Sequence, residues 1–473
     1  MIQKFKTLEE YNNYTDSGTT LHSGTLYYVE EDNSGHLITN NIDGELKVYD
    51  LGGAFPTFLY GAAIYVKYNK TKDYGSNPYI CSNFGAQTVD YAMVDGQYIS
   101  GDDLRSTYGQ YPLENGEHQV IFVLNTKEIP DYFFSNPICS DMMEEFVISD
   151  YYTSIGETFI GTDSTNLKSI HIGDNITSIG KDFLGSHNKL IQKIHIPTKI
   201  ESIGNYCFRD TSIKQLIFPN TITSIGASSF SDSANLEEVV IPDSENTINI
   251  GGSAFVKCPK LKKLYLGKGA TLLASSVFDY CHIEELYLNT STTPSWNYTG
   301  DKTNSLKKLT IGSNVTAIQA NEFNYCNALS EIIFEEGVQT IGNYAFSGNK
   351  CKTITLPSTI TQLGNNSFND CSELESISIQ EGCTRLSQEC LRDNPKLTEL
   401  VIPSTVTYVG KWCFTSSGIK KLTVKATTPP STGGVLGLAN DCIIYVPSES
   451  IDSYKQANNW KNYIDNILPI PTE

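Results

Sequence analysis

The chain has 473 residues, with 34 basic against 53 acidic side chains and a net charge of −19. That length can bury two or three cores, and an acidic chain whose only guanidinium groups are Arg105, Arg209, Arg385 and Arg392 repels nucleic-acid phosphates and anionic membranes. No run of about 18 apolar residues is present to span a bilayer.

The first residues, "MIQKFKTLEEYNNYTDSG", lack the apolar core and small-residue cleavage site of a secretory signal. Either such a signal has been trimmed, or the protein does not use that export route; the second is the expectation. Leu21 to Asp50 predicts two or three short strands joined by Gly- and Asn-rich turns. Residues 54 to about 125 are Tyr-rich and alternating ("GAAIYVKYNKT", "YAMVDGQYISG"), which predicts a small β domain.

From there one pattern takes over. The phrase apolar-x-x-apolar-x-apolar occurs twelve times: at Leu167, Ile191, Ile213, Leu236, Leu261, Ile283, Leu306, Leu329, Cys351, Leu374, Leu397 and Ile419. The spacing averages about 23 residues, the period of a leucine-rich repeat. Positions four and six of each phrase should point inward from a short strand and position five outward. A second block, "PNTITSIGASSF" at Pro219 with close copies at Pro197, Pro357 and Pro403, should pack its Ile and Phe beneath that strand, with Gly allowing a tight backbone. No single repeat can bury its apolar face, so stacking builds the core.

Between Leu288 and Leu306 the second block is replaced by "NTSTTPSWNYTGDKTN", although the flanking phrases keep their spacing. Trp296 there either fills the missing Phe position or, with Tyr298, belongs to a recognition loop. Cys258, Cys281, Cys326 and Cys371 each follow a repeat Phe by three residues, which predicts a column of small buried side chains. Disulfides are a weaker alternative, and the zinc-type C-x-x-C spacing is absent. Glu237-Glu238, Lys262-Lys263, Glu284-Glu285 and Lys307-Lys308 alternate in sign from copy to copy, which would fix the register of parallel strands. The outward fifth positions include His171, His195, Tyr265 and Tyr287. The two tyrosines are the best candidates for a contact hot spot if the sheet face is open; otherwise the ladder mainly stabilises the sheet.

The "L..I.IP..IT.IG..AF..C" pattern, over roughly residues 130 to 425, resembles the BspA-type leucine-rich repeats of surface and secreted proteins. Cys442 to Ile470 is similar to the capping segment that closes many Bacteroides members, and Asn115 to Phe134 to the lead-in before such arrays. Leu21 to Asp50 is similar to small β modules in structural proteins of tailed phages of Bacteroides, crAss-like phages included. These resemblances imply an α/β solenoid with one parallel sheet of about twelve strands, preceded by small β modules. The implied parts are an N-terminal β attachment module (1–53), a small β domain (54–128), the repeat solenoid (129–425) and a capping segment (426–473).

No GxSxG, HExxH, phosphate loop or zinc spacing occurs, and the seven His residues form no motif, so catalytic, metal and cofactor residues are expected to be none. Two binding roles remain. In the first, the protein is a phage virion component on the head or tail, docking on other virion proteins through its N-terminal module and forming homo-oligomers there. Its array would then meet a host-surface protein or glycan. In the second, it is a bacterial cell-surface or secreted adhesin.

Overall fold

The computed structural model describes residues 63–72, 74–75, 77–161, 166–185, 188–290 and 305–471, together with the backbone of four strands before residue 51. Two compact units emerge: residues 1–239, 246–260 and 272–279 form the first, and residues 240–245, 261–271 and 280–473 the second.

In the first unit, Ile2–Phe5, Thr25–Val29, Ser34–Asn40 and Leu46–Asp50 make one sheet, parallel at its first pair and antiparallel beyond. A second sheet follows. Ile64–Lys70 pairs antiparallel with Gly116–Leu124, which pairs with Val89–Val94. On its other edge Ile64–Lys70 meets Met143–Ile148, which in turn pairs in parallel with Ser169–Ile172. Met143–Ile148 spells "MEEFVI", a copy of the strand phrase that precedes the twelve recognised in the sequence. The antiparallel sheet therefore continues into the repeat strands. Phe133, Phe134, Phe146 and Phe159 fill this junction edge to face, with centroids 4.6 to 5.5 Å apart.

The rest of both units is parallel β-solenoid with few helices, and most of the described turns carry two short strands. The phrase makes the first: Leu264 and Leu266 are buried while Tyr265 between them is half-exposed, the two-residue period of a strand over a core. The Ser-Ile pair of the second block makes the other. In the first unit Ile155, Ile179, Ile203 and Ile225 align in register along this row. The glycine that follows is required by close approach, since a Cβ on Gly226 would sit 2.3 Å from the Gly204 carbonyl carbon. The sequence predicted packing here, not a second hydrogen-bonded row.

Between the rows runs a ladder of phenylalanines. Phe208, Phe230, Phe255 and Phe278 stack at 5.3 to 5.5 Å in the first unit, and Phe323, Phe346 and Phe368 at 5.5 and 5.4 Å in the second. All are buried, each contributing about 2–3 kcal/mol of transfer free energy. All twelve cysteines are buried thiols, none of them in a disulfide. Their column has a polar purpose as well as a steric one. The thiols of Cys258 and Cys371 donate to the carbonyls of Phe230 and Phe346 in the preceding turn, at 3.4 Å each. Asn394 makes the same bond to Phe368 through its amide, at 3.0 Å.

The phrase strands differ from expectation in two respects. The copy at Ile191 is not a strand: Ile194 and Ile196, which the pattern assigns to the core, are only half-buried, so this segment stands off its neighbours. Nor do the remaining eleven form one sheet. In the second unit, Lys263–Leu266, Glu285–Leu288, Lys308–Ile311 and Glu331–Phe334 pair in sequence. Thr353–Thr355 and Ser376–Ser378 then form a separate pair, and Glu399–Ile402 begins a further sheet. The irregular stretch after Leu288 does not interrupt pairing, because Leu286 and Leu309 sit directly opposite. The alternating charges meet as expected. Glu284 receives Lys262 at 3.0 Å and Lys307 at 2.7 Å, and Glu331 receives Lys308 at 2.8 Å.

At the C-terminal end Ile443–Val446 adds to the last sheet and Ile467–Pro469 adds to it in turn. Tyr454 and Trp460 are fully buried beneath them, donating to the carbonyls of Ala426 at 2.7 Å and Pro430 at 2.8 Å. An apolar cover whose polar tips are satisfied closes the core.

Candidate functional site

The outward positions of the phrase strands bring together two of the predicted pairs. Tyr265 and Tyr287 lie on adjacent strands of the second unit, their rings parallel within 4° and 4.2 Å apart. The Tyr265 hydroxyl donates to Asp243 at 2.9 Å, and the Tyr287 hydroxyl points to Glu335 at 3.4 Å. Burial and these carboxylates push both phenols above their ordinary range. Burial opposes ionisation of Asp243, but the Lys268 N–H, the Asn289 amide and the Tyr265 hydroxyl outweigh it and hold the carboxyl below the usual range.

Asn289 is the part that sequence reasoning missed. Its buried side chain donates to Asp243 at 2.8 Å and accepts from the Asn314 N–H at 2.9 Å, tying together segments 46 and 25 residues away. Gly312 leaves the space for it, as a Cβ there would lie 2.4 Å from the Asn289 Oδ1. The tyrosines thus form a locked pair that presents ring edges, with hydroxyls already engaged. That is a geometry for contact, with no nucleophile–base arrangement in it.

In the first unit His171 and His195 stack at 5.4 Å, although the His195 segment is not a strand. His195 Nε2 lies 2.9 Å from Asp174 Oδ1, while burial and the neighbouring His195 lower the His171 pKa to about 4. Trp296 and Tyr298 lie outside the described residues. Among the described residues no group of three or more His, Cys, Asp or Glu side chains could hold a metal ion.

A second feature went unread. Tyr206, Tyr280, Tyr325, Tyr344 and Trp412 all have left-handed backbone, with φ between 53° and 61°, and all are exposed. Bulky residues rarely adopt this conformation. Other turns carry Asp182 and Asn366 at the place of Tyr206, Tyr344 and Trp412, and Asp210, Asp232 and Asp370 at the place of Tyr280 and Tyr325. The sequence therefore did contain a signal: an aromatic where the repeat otherwise places a turn former.

The family described as BspA type leucine rich repeat region matches this chain over residues 127–249, 186–301 and 296–420. The match begins at residue 127, beyond the phage-like module read into Leu21 to Asp50. No curated protein matches. Similar solved structures include a leucine-rich repeat protein from Bacteroides ovatus, 20% identical over 62% of this chain and 85% of that one, with a TM-score of 0.32. A leucine rich cell surface protein from Faecalibacterium prausnitzii is 18% identical over 58% of this chain and 84% of its own, with a TM-score of 0.25. The pneumococcal vaccine antigen PcpA is 15% identical over 96% of this chain and 100% of its own, with a TM-score of 0.31. Likenesses this distant carry no argument; the match of the repeats themselves does, and by it the chain belongs to the BspA-type leucine-rich repeat family.

Proposed function

We propose that the protein is a non-catalytic binding scaffold of the cell-surface or secreted kind, whose outward strand face meets a host-surface protein or glycan. The observation that carries this reading is the Tyr265–Tyr287 pair, half-exposed and immobilised by Asp243 and Asn289. Contact surfaces gain most from aromatic side chains whose rotamers are already fixed, because little entropy is lost on binding. Ile333 and Val401 leave apolar side chains exposed at the same strand position. The family membership supports an envelope or secreted location, and among the described residues no helix is long and apolar enough to cross a membrane. The virion reading, with its attachment module at residues 1–53, has no support in the family match or the structural neighbours.

Adhesion of the purified full chain to epithelial cells and to immobilised mucin tests the proposal. The double variant Tyr265→Ala/Tyr287→Ala should reduce adhesion at least about tenfold, as for a hot-spot pair. Unchanged adhesion by a folded double variant would remove the tyrosines from the contact. Antibody labelling of bacterial envelopes against purified phage particles decides the location.

A further inference from the structure

The outward face of the second unit has a break in its ladder between two neighbouring turns. At most steps of this row the carbonyl at the second phrase position accepts two N–H groups from the next turn; the Glu375 carbonyl is an exception, as is that of Ser330. Lys262 accepts from Glu284 and Glu285, Glu284 from Lys307 and Lys308, Lys307 from Ser330 and Glu331, and Lys352 from Glu375 and Ser376. The Ser330 carbonyl holds the same place, yet neither Lys352 nor Thr353 donates to it. Sheet pairing stops at Glu331–Phe334 and resumes at Thr353–Thr355. The same two turns stay paired through the Ile-Gly row, where Ile341 lies opposite Leu363. One side is thus hydrogen-bonded in register while the strands of the other lie adjacent without ladder bonds. Beside them is an open cleft of about 500 Å³ whose lining includes Ser330, Ile333, Thr353, Thr355 and Gln380.

The chemistry of this lining limits what can enter. Two carboxylates border it, and both are already matched. Glu331 holds the Lys308 ammonium at 2.8 Å, and Glu336 accepts the Ser358 N–H at 3.1 Å and the Ser358 hydroxyl at 2.9 Å. Glu336 is met only by neutral donors and keeps its negative charge, so this border repels an anion. What is offered instead is neutral and hydroxyl-matching. Thr353 and Thr355 are exposed, Gln380 spends its amide N–H on Ser378 at 2.9 Å and keeps its carbonyl oxygen, and the Ser330 carbonyl is open. Ile333 adds an apolar surface that is 40% exposed. Alternating hydroxyls and C–H faces are the chemistry of a sugar ring, and the volume is that of a small-ligand site.

We propose that this opening is a binding site for a neutral saccharide. The proposal rests on the reading of the outward strand face as the contact surface, and it gives that surface a ligand class and a position separate from the tyrosines.

Isothermal titration of the full chain with maltohexaose, cellohexaose and mannohexaose, with a hyaluronan hexasaccharide as the anionic control, tests it. At least one neutral oligosaccharide should bind and hyaluronan should not. Thr355→Trp, which fills the opening from an exposed position, should weaken binding at least about tenfold. Ile333→Glu should do the same by a different route, and Tyr265→Ala/Tyr287→Ala should leave it intact. Binding that survives both Thr355→Trp and Ile333→Glu overturns the site. Loss only in the tyrosine variant also overturns it, while the outward-face reading stands. If no neutral oligosaccharide binds, or hyaluronan binds more tightly, the ligand class is wrong. Cell adhesion that persists in all three variants would count against the outward-face reading itself.

Discussion

The two strand rows of the second unit are built from unequal elements, and the shorter ones hold better. Phrase strands run three or four residues yet stop pairing after Phe334 and again after Ser378. The Ile-Gly strands are two residues long, yet Ile318, Ile341, Leu363, Leu386 and Val409 stay in register throughout. Length of strand is therefore not what keeps these turns together. A Cβ on Gly342 would lie 2.6 Å from the Ala320 nitrogen, and one on Gly364 2.6 Å from the Gly342 carbonyl carbon. Backbones this close leave no slack. The phrase row has ordinary side chains alternating into the core and into solvent, so it can lose its ladder bonds at two steps with little loss of packing. A rigid row backing an adaptable one suits a scaffold that keeps its form while its exposed face varies.

The comparison can be broken most severely between the rows. Phe346 is fully buried against Phe323 and Phe368, and Phe346→Ala should cost about 3–5 kcal/mol in urea unfolding. A loss below about 1 kcal/mol would mean that the ladder does not hold the second unit. Next in size is Gly364→Ala, whose methyl has no room; it should cost about 1–3 kcal/mol. One methyl added to the phrase row, in Ser378→Thr, should stay within about 0.5 kcal/mol because that side chain is exposed. Equal costs would erase the distinction between the rows.

The buried thiols sharpen it through pH. Burial pushes Cys326, Cys351 and Cys371 up to about 12, from an ordinary value of 9.0. The native thiols keep their protons where unfolded ones lose them. Stability is therefore complete below pH 9 and falls as pH rises toward 12, by about 1.4 kcal/mol per thiol at pH 10. Melting curves from pH 8 to 10.5 measure this, and thiol labelling of the native protein at pH 8 should find none of the three reactive. The smallest expected effect has the opposite sign. Tyr344 sits at φ 57°, and Tyr344→Asn should raise stability by about 1 kcal/mol by relieving the left-handed backbone. No gain, or a loss, would show that the ring's contacts outweigh its strain.

Much of this architecture could be read from the residues. A period of about 23 with two apolar positions per phrase specified turns, inward faces and the Phe and Cys columns. It did so because each turn meets only its neighbours and every copy repeats the same contacts. The alternating charges specified register for the same reason, with Lys263 opposite Glu285 and Glu285 opposite Lys308. The copy at Met143 was readable too, but no Ile-Gly block precedes it to draw attention to it.

The tyrosines were legible as an outward pair, whereas their lock was not. Nothing in the sequence links Asp243 to Asn289 or Asn289 to Asn314; the three meet only because stacked turns carry distant segments past one another. The opening beside Ser330 is of the same kind. Its phrase, "LSEIIF", matches copies that pair fully, and whether its carbonyl finds a partner depends on the separation of two turns. Local pattern therefore determined what each turn is made of and which way its side chains point. Tertiary stacking alone decided where two turns hydrogen-bond, where they lie unbonded and which polar groups are left facing solvent, because those depend on spacings of a few ångströms that no single repeat encodes.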